Sequence, residues 1–226
     1  MTSVEASVKT SFTELARTLC SDEATVTKWT SQLISRYSEP QRYYHTINHI
    51  HAMLQCLDQF HSSVADETTL KLAIFFHDWI YDPKSKDNEI DSIQYLRDFA
   101  TDIGLLDPVF SKVASYIERT ITHTLPTDVE ESNCDLCLFL DFDLEVLSRN
   151  DAQYLRYSEE IRAEYSHFKP SDYYTGRLHV LTSFLGRDRL YFSNIFYNRR
   201  EQKARANLEW EIGILQNALH PTAAPS

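Results

Sequence analysis

The chain has 226 residues, of which 42% are hydrophobic and 24% charged, a composition typical of a globular protein that buries an extended core. Its net charge of −11, without a basic block, argues against a nucleic-acid polymer or an acidic membrane surface as a partner. With four cysteines, no secretory-signal pattern and no apolar run near about 20 residues, we expect a cytoplasmic protein that neither spans a membrane nor depends on disulfides.

Helical periodicity and helix-capping residues predict an all-α protein. The second predicted helix begins after Ser21 and ends before Pro40, and the fifth ends at Gly104, a residue suited to a left-handed cap. Polar loops are predicted at 82–88 and 124–132. The predicted helices cover residues 12–19, 22–37, 43–60, 67–80, 89–103, 108–122, 133–148, 151–167, 172–185 and 197–218.

The predicted organisation is a single helical domain without an internal repeat or linker. Helices in residues 1–39 precede the main domain, which covers residues 40–215 and has the last helices packed on it. Residues 216–226 are predicted to be a flexible tail. No feature of the sequence predicts an oligomeric state.

The segment FFHDWIYD, residues 75–82, places His77 and Asp78 directly after an apolar run. Burying such groups without a partner costs on the order of several kcal/mol. They therefore need a second side chain, a water molecule or a metal ion close by.

The third predicted helix carries His49 on its apolar face, with His45 one turn earlier on the same side and His51 about 200° away, towards solvent. A single histidine on an apolar face is more often a hydrogen-bonded core residue. Combined with His77, Asp78 and an aspartate of the segment FLDFDL, however, His49 would complete a mixed nitrogen and oxygen site. Such a site suits Mn²⁺, Mg²⁺, Fe or Zn²⁺ and does not select among them.

The segment FLDFDL contains two aspartates, Asp141 and Asp143, which point about 200° apart on a helix and cannot both reach one ion. Asp143 falls in the middle of the apolar arc formed by Leu136, Leu140 and Leu147, where a carboxylate needs a cation. We therefore predict Asp143 as the ligand, with Asp141 supporting the site or exposed at the side of the helix.

The ordered set of His49, His77 with Asp78, and Asp143 resembles the H…HD…D signature of the HD superfamily of metal-dependent phosphohydrolases. The phrases RYYHTINHI, FFHDWIYDP, FLDFDL, IRAEY and RLYF are similar to one subgroup, the predicted metal-dependent HD phosphohydrolases, over about residues 40–215. The resemblance implies an HD-type helical domain. It implies His49, His77, Asp78 and one of the two aspartates as ligands of a divalent metal ion, for example manganese. It also implies hydrolysis of a small phosphorylated substrate, with a nucleotide as the expected one, and release of phosphate or pyrophosphate.

Further residues are candidates for the chemistry of such an enzyme. Asp78 could both bind the metal ion and orient a water, and Glu89 could act as general base or be an ordinary first-turn carboxylate. His123 could protonate the leaving group or bind a second metal ion. The candidates for binding the substrate, each of which could instead be an ordinary surface residue, are Arg42, His45, Arg119 and Arg162.

Two other functions stay open at this point. Some HD-fold proteins hold two irons and activate oxygen, and His45 and His123 could supply the extra ligands of such an oxygenase. A non-catalytic HD domain that only binds a ligand is the other alternative, although ligand side chains buried without a metal ion would be costly.

Cys134 and Cys137 form a C-x-x-C motif, but no second pair accompanies it. A zinc site normally needs four ligands, and this pair lies on a predicted apolar helix. We therefore predict that both cysteines are structural.

Overall fold

The computed structural model describes residues 2–126 and 134–220, and within these ranges all regular structure is helical, which confirms the predicted all-α class. Residues 127–132 of the predicted loop and residues 221–226 of the predicted tail lie outside the described residues. No helix in the described ranges is both long and apolar enough to cross a membrane. The helices are α1 (Ser3–Leu19), α2 (Glu23–Arg36), α3 (Ile47–Phe60), α4 (Glu67–Phe76), α5 (Asn88–Ile103), α6 (Asp107–Thr120), α7 (Asp135–Asp143), α8 (Asp151–Glu164), α9 (Pro170–Leu185) and α10 (Asn194–Leu219).

Local capping explains most helix ends. The Asp22 carboxylate accepts two backbone N–H groups at the start of α2, and Gly104 ends α5 with a left-handed φ of 71°. The Thr46 hydroxyl caps α3, which therefore begins four residues later than predicted. Ser193 caps α10, which begins three residues earlier than predicted and ends at Leu219, one residue beyond the predicted helix and within the predicted tail.

The chain divides into two compact units, Met1–Asp143 and Leu144–Ser226. The sequence predicts one helix over residues 133–148 and therefore no boundary at this point. In the structure α7 ends at Asp143, and a separate 3-10 helix, Glu145–Ser148, follows it.

In the N-terminal unit, α4 is the central helix, as its apolar sequence predicts. It packs against α1, α3, α5, α6 and α7, and its residues from Leu72 to Phe76 have no exposed surface. Phe76 stacks on Trp79 with 4.5 Å between ring centroids, and Phe12, Trp29 and Phe99 surround this pair. Because α7 packs on α3, α4 and α6, the ends of these helices meet inside the unit.

In the C-terminal unit, α10 packs against α9 and the 3-10 helix, which also contacts α8. A buried polar group joins these helices: Glu211 accepts hydrogen bonds from the Tyr154 hydroxyl at 2.6 Å and from Arg177 at 2.8 Å. The Tyr154 hydroxyl and the Arg177 guanidinium group thus share one acceptor, and such pairing is the condition for burying charged groups without a large penalty.

Candidate metal centre

Four acidic and imidazole side chains meet where α3, α4 and α7 converge. His49 lies in the first turn of α3, His77 and Asp78 follow the last residue of α4, and Asp143 is the last residue of α7. The helix α4 ends at Phe76, four residues before the predicted end. The backbone N–H of His77 still donates to the Ala73 carbonyl oxygen, so His77 remains attached to the end of the helix. The chain turns away at Asp78.

The donor atoms of His49, His77 and Asp78 all lie within 4.8 Å of one another, close enough to bind one ion, and Asp143 contacts both imidazoles of this group. The Nε2 atoms of His49 and His77 are 3.2 Å apart, and an oxygen of Asp78 lies 3.0 Å from His77 Nε2 and 3.7 Å from His49 Nε2. Asp143 Oδ1 lies 3.1 Å from His49 Nε2 and 3.6 Å from His77 Nε2. Neighbouring ligands bound at about 2.1 Å to one cation are separated by about 3.0–3.5 Å. The spacing of the nitrogen and oxygen atoms therefore fits a divalent cation.

The orientation of His77 also fits a metal ligand. Its Nδ1 is 3.0 Å from the Ile74 carbonyl oxygen. Because a carbonyl oxygen only accepts hydrogen bonds, Nδ1 carries the proton in the neutral ring, and the Nε2 lone pair faces the cluster. Histidine ligands commonly have their second nitrogen fixed in this way.

The electrostatics of the cluster favour a positive charge at its centre. Burial acts to raise the pKa values of Asp78 and Asp143, but the surrounding imidazoles outweigh it and lower both. Burial lowers the pKa of His49. For His77, the charges of Asp78 and Asp143 outweigh burial and raise the pKa well above its ordinary value. Without a metal ion, a proton on His77 balances part of the carboxylate charge, and a bound cation would replace that proton.

The two aspartates of α7 lie in different surroundings. Asp143 contacts the imidazoles, in agreement with the helical-wheel choice, while Asp141 has no exposed surface, so the suggestion that it could be exposed is wrong. All residues from Asp135 to Phe142 are buried, so α7 has no polar side on which a carboxylate could reach solvent. That Asp143 binds a metal ion stays a prediction.

His123 contacts the cluster from an unexpected backbone position. It follows the end of α6 by three residues and has a φ of 47°, in the left-handed region, where a residue other than glycine costs on the order of 1–3 kcal/mol. Its Nε2 donates to Asp143 Oδ2 at 2.7 Å. The strain is offset by a contact that holds the Asp143 carboxylate in place.

Glu89 lies in the first turn of α5 and is partly buried. Burial raises its pKa, and the negative charge of Asp78 acts in the same direction, whereas His77 and His123 oppose the change. Glu89 therefore lies within electrostatic reach of the cluster, as expected for a general base or a water-orienting group.

Arg42 has a different role from the predicted contact with substrate. Its side chain has no exposed surface, and its nitrogens donate to the carbonyl oxygens of His45 at 3.0 Å, Asp78 at 2.8 Å and Trp79 at 3.0 Å, and to Glu39. Arg42 thus fixes the backbone on which Asp78 is carried. This role of Arg42 has no local sequence signal, because its bonds to Asp78 and Trp79 join segments that are 36 and 37 residues apart.

The other predicted substrate-binding residues are distributed over both units. His45 precedes α3, so it does not lie on a helix as predicted. Its ring stacks on that of Tyr81, with 4.2 Å between the ring centroids. Arg119 is partly buried in the last turn of α6. Arg162 belongs to the C-terminal unit, where it donates to the carbonyl oxygens of Tyr165 and Phe168 beyond α8. Arg162 therefore binds the backbone just beyond the end of α8, which differs from the predicted contact with substrate.

No family model, curated protein or solved structure matches this chain. The resemblance to the HD superfamily therefore stays a prediction.

Proposed function

We propose that the cluster binds a divalent metal ion and that the protein hydrolyses a phosphoester or phosphoanhydride bond of a small phosphorylated metabolite, with a nucleotide as the first choice. One observation supports this most directly: the two imidazole nitrogens lie 3.2 Å apart, and Asp78 and Asp143 each have an oxygen 3.0–3.7 Å from both of them. The ligand types suit Mn²⁺, Mg²⁺, Fe or Zn²⁺. The resemblance of the ordered H…HD…D set to the HD superfamily supports hydrolysis over other metal chemistry.

When bound, the cation would polarise a phosphoryl oxygen and acidify a coordinated water. The residues of the chain then have distinct tasks. His49, His77, Asp78 and Asp143 would hold the ion, and the Asp78 backbone is held in turn by Arg42. His123 would act through Asp143, to which it donates at 2.7 Å, so we assign it as a positioning residue.

Glu89 is our candidate for the proton acceptor. Its carboxylate is partly withdrawn from solvent and its pKa is raised by burial, so it binds a proton more readily than an exposed glutamate does. It would take the proton of the attacking water at a carboxylate oxygen. Arg119, one turn before His123, is our remaining candidate for contacting the substrate phosphate.

Metal analysis of the purified protein followed by a phosphate-release screen tests the proposal. The screen would use nucleotides and sugar phosphates with Mn²⁺, Mg²⁺, Co²⁺, Ni²⁺ or Zn²⁺. We expect Asp78→Asn to lose both metal and activity, and Glu89→Gln to keep the metal while kcat falls about 100-fold or more. Asp91→Asn, an exposed acid in the same turn of α5, is the matched control and should change neither.

Three outcomes would contradict the proposal. Turnover that consumes oxygen only with iron bound would favour the oxygenase alternative. Stoichiometric metal binding with no product from any substrate would favour a non-catalytic ligand-binding domain. Full activity in Asp78→Asn would show that the cluster is not the active site.

A further inference from the structure

The C-x-x-C motif occupies the beginning of α7. Cys134 immediately precedes Asp135, the first residue of the helix, and Cys137 lies in its first turn. The Cys137 N–H donates to Cys134 Sγ at 3.2 Å. Cys137 has no exposed surface, whereas Cys134 is partly exposed. The two thiols thus differ in access: a reagent from solvent reaches Cys134 first.

Although the sequence predicts that Cys134 and Cys137 are structural, we propose that they are a redox-active dithiol that exchanges with small disulfides, with Cys134 as the attacking residue and Cys137 as the resolving residue. This site goes beyond the proposed hydrolase and does not depend on it. Residues 135 and 143 at the two ends of α7 are separated by about 12 Å along the helix axis, so the dithiol is separate from the candidate metal centre.

The surroundings of Cys134 stabilise its thiolate. A hydrogen bond with the Cys137 thiol and then the backbone N–H groups of Cys137, Cys134 and Leu136 lower the pKa of Cys134 to about 6, against an opposing effect of burial. Thiolates at helix N-termini and in C-x-x-C motifs are stabilised by the same contacts.

The nearby charged groups are engaged elsewhere. The Asp135 carboxylate accepts the backbone N–H groups of Ala65 and Asp66, each at 2.8 Å. The Asp66 carboxylate at the start of α4 is bound by Thr69 and Lys112. On α6, burial raises the pKa of Tyr116, so this residue stays neutral near the sulfur atoms.

The exchange is balanced with a small disulfide, RSSR, as the oxidant. The Cys134 thiolate attacks one sulfur, forms a mixed disulfide and releases one thiolate, which takes up a proton. The Cys137 thiol then loses its proton and attacks Cys134 Sγ, which closes the intramolecular disulfide and releases the second RSH. The protein dithiol is oxidised by two electrons and the small disulfide is reduced to two thiols.

The test uses the full-length protein and oxidised glutathione at several pH values, with peptide mapping by mass spectrometry. The wild type should lose two hydrogens in the peptide that contains both cysteines, and dithiothreitol should restore the mass. Cys137→Ser should accumulate a mixed disulfide at Cys134, and Cys134→Ser should show no adduct at Cys137. Cys20→Ser, a matched control at another partly exposed thiol, should leave the disulfide unchanged.

Alkylation kinetics supply a second readout that needs no variant. At pH 6, Cys134 should have a larger thiolate fraction than a cysteine in a short peptide, although a thiolate of low pKa is a weaker nucleophile. The two effects together predict alkylation of Cys134 about tenfold faster than that of the peptide cysteine. A rate at or below that of the peptide would overturn the proposal. So would modification of Cys20 before Cys134, or stoichiometric zinc binding by the two thiols without disulfide formation.

Discussion

Replacing Asp143 by asparagine is the sharpest test of the candidate metal centre. The substitution keeps the size of the side chain and removes its charge, which lies 3.1 Å from His49 Nε2 and 3.6 Å from His77 Nε2. Loss of a carboxylate that only supports a ligand typically lowers metal affinity about 10–100-fold. Because Asp143 would bind the ion directly, we expect a loss of at least about 100-fold, equivalent to about 2.7 kcal/mol.

The measurement is a competitive titration of Mn²⁺ or Zn²⁺ against a chromophoric chelator, for the wild type, Asp143→Asn and Asp141→Asn. The Asp141 variant is the matched control, because it removes another carboxylate, one without exposed surface, from the same helix. We expect it to change affinity less than tenfold. Circular dichroism would verify that each variant is folded. If Asp141→Asn lost the metal and Asp143→Asn kept wild-type affinity, the assignment of the ligand would be wrong.

Metal affinity should rise with pH, because the carboxylates raise the pKa of His77 and its proton must leave before the ion binds. Calorimetry in buffers of different ionisation enthalpy would count the released protons. A pH-independent affinity would contradict this prediction. In the metal-free protein, the same shift should stabilise the fold fully below the unfolded-state pKa of about 6.5, and this stabilisation should disappear as pH rises through the folded-state pKa. Arg42→Met should lower the free energy of unfolding by about 3–5 kcal/mol, because it leaves three buried carbonyl oxygens without their donor. The exposed control Arg17→Met should cost less than about 1 kcal/mol in the same urea titration, and equal losses would refute the positioning role of Arg42.

Helices were predictable where local chemistry decides them. Neighbouring residues alone define the start of α2 and the end of α5. Gly104 ends α5 as predicted, whereas α2 is capped by Asp22, one residue after the predicted Ser21. The end of α4 was not predictable in this way, since the apolar sequence continues beyond Phe76. The turn is held by Arg42, which binds the carbonyl oxygens of Asp78 and Trp79 from 36 and 37 residues away.

The candidate site shows the same division. His77 and Asp78 stood out because charged groups rarely follow an apolar run without a partner, and the structure places them beside His49. The position of His123 could not be derived from a helical wheel, because its left-handed backbone lies outside a helix. That conformation is compensated by a hydrogen bond to Asp143, twenty residues later in the chain.

If the proposed metal centre is correct, the order of its ligand residues along the chain has a consequence for biosynthesis. Three of them, from His49 to Asp78, leave the ribosome early, whereas Asp143 is the final residue of the N-terminal unit. A nascent chain would therefore hold an ion firmly only after the whole unit has been synthesised, since domains generally fold as units. At a free metal concentration of 100 times Kd, binding would add about 2.7 kcal/mol to the stability of the finished unit. Metal starvation would then act on abundance, by leaving newly made chains more open to proteolysis.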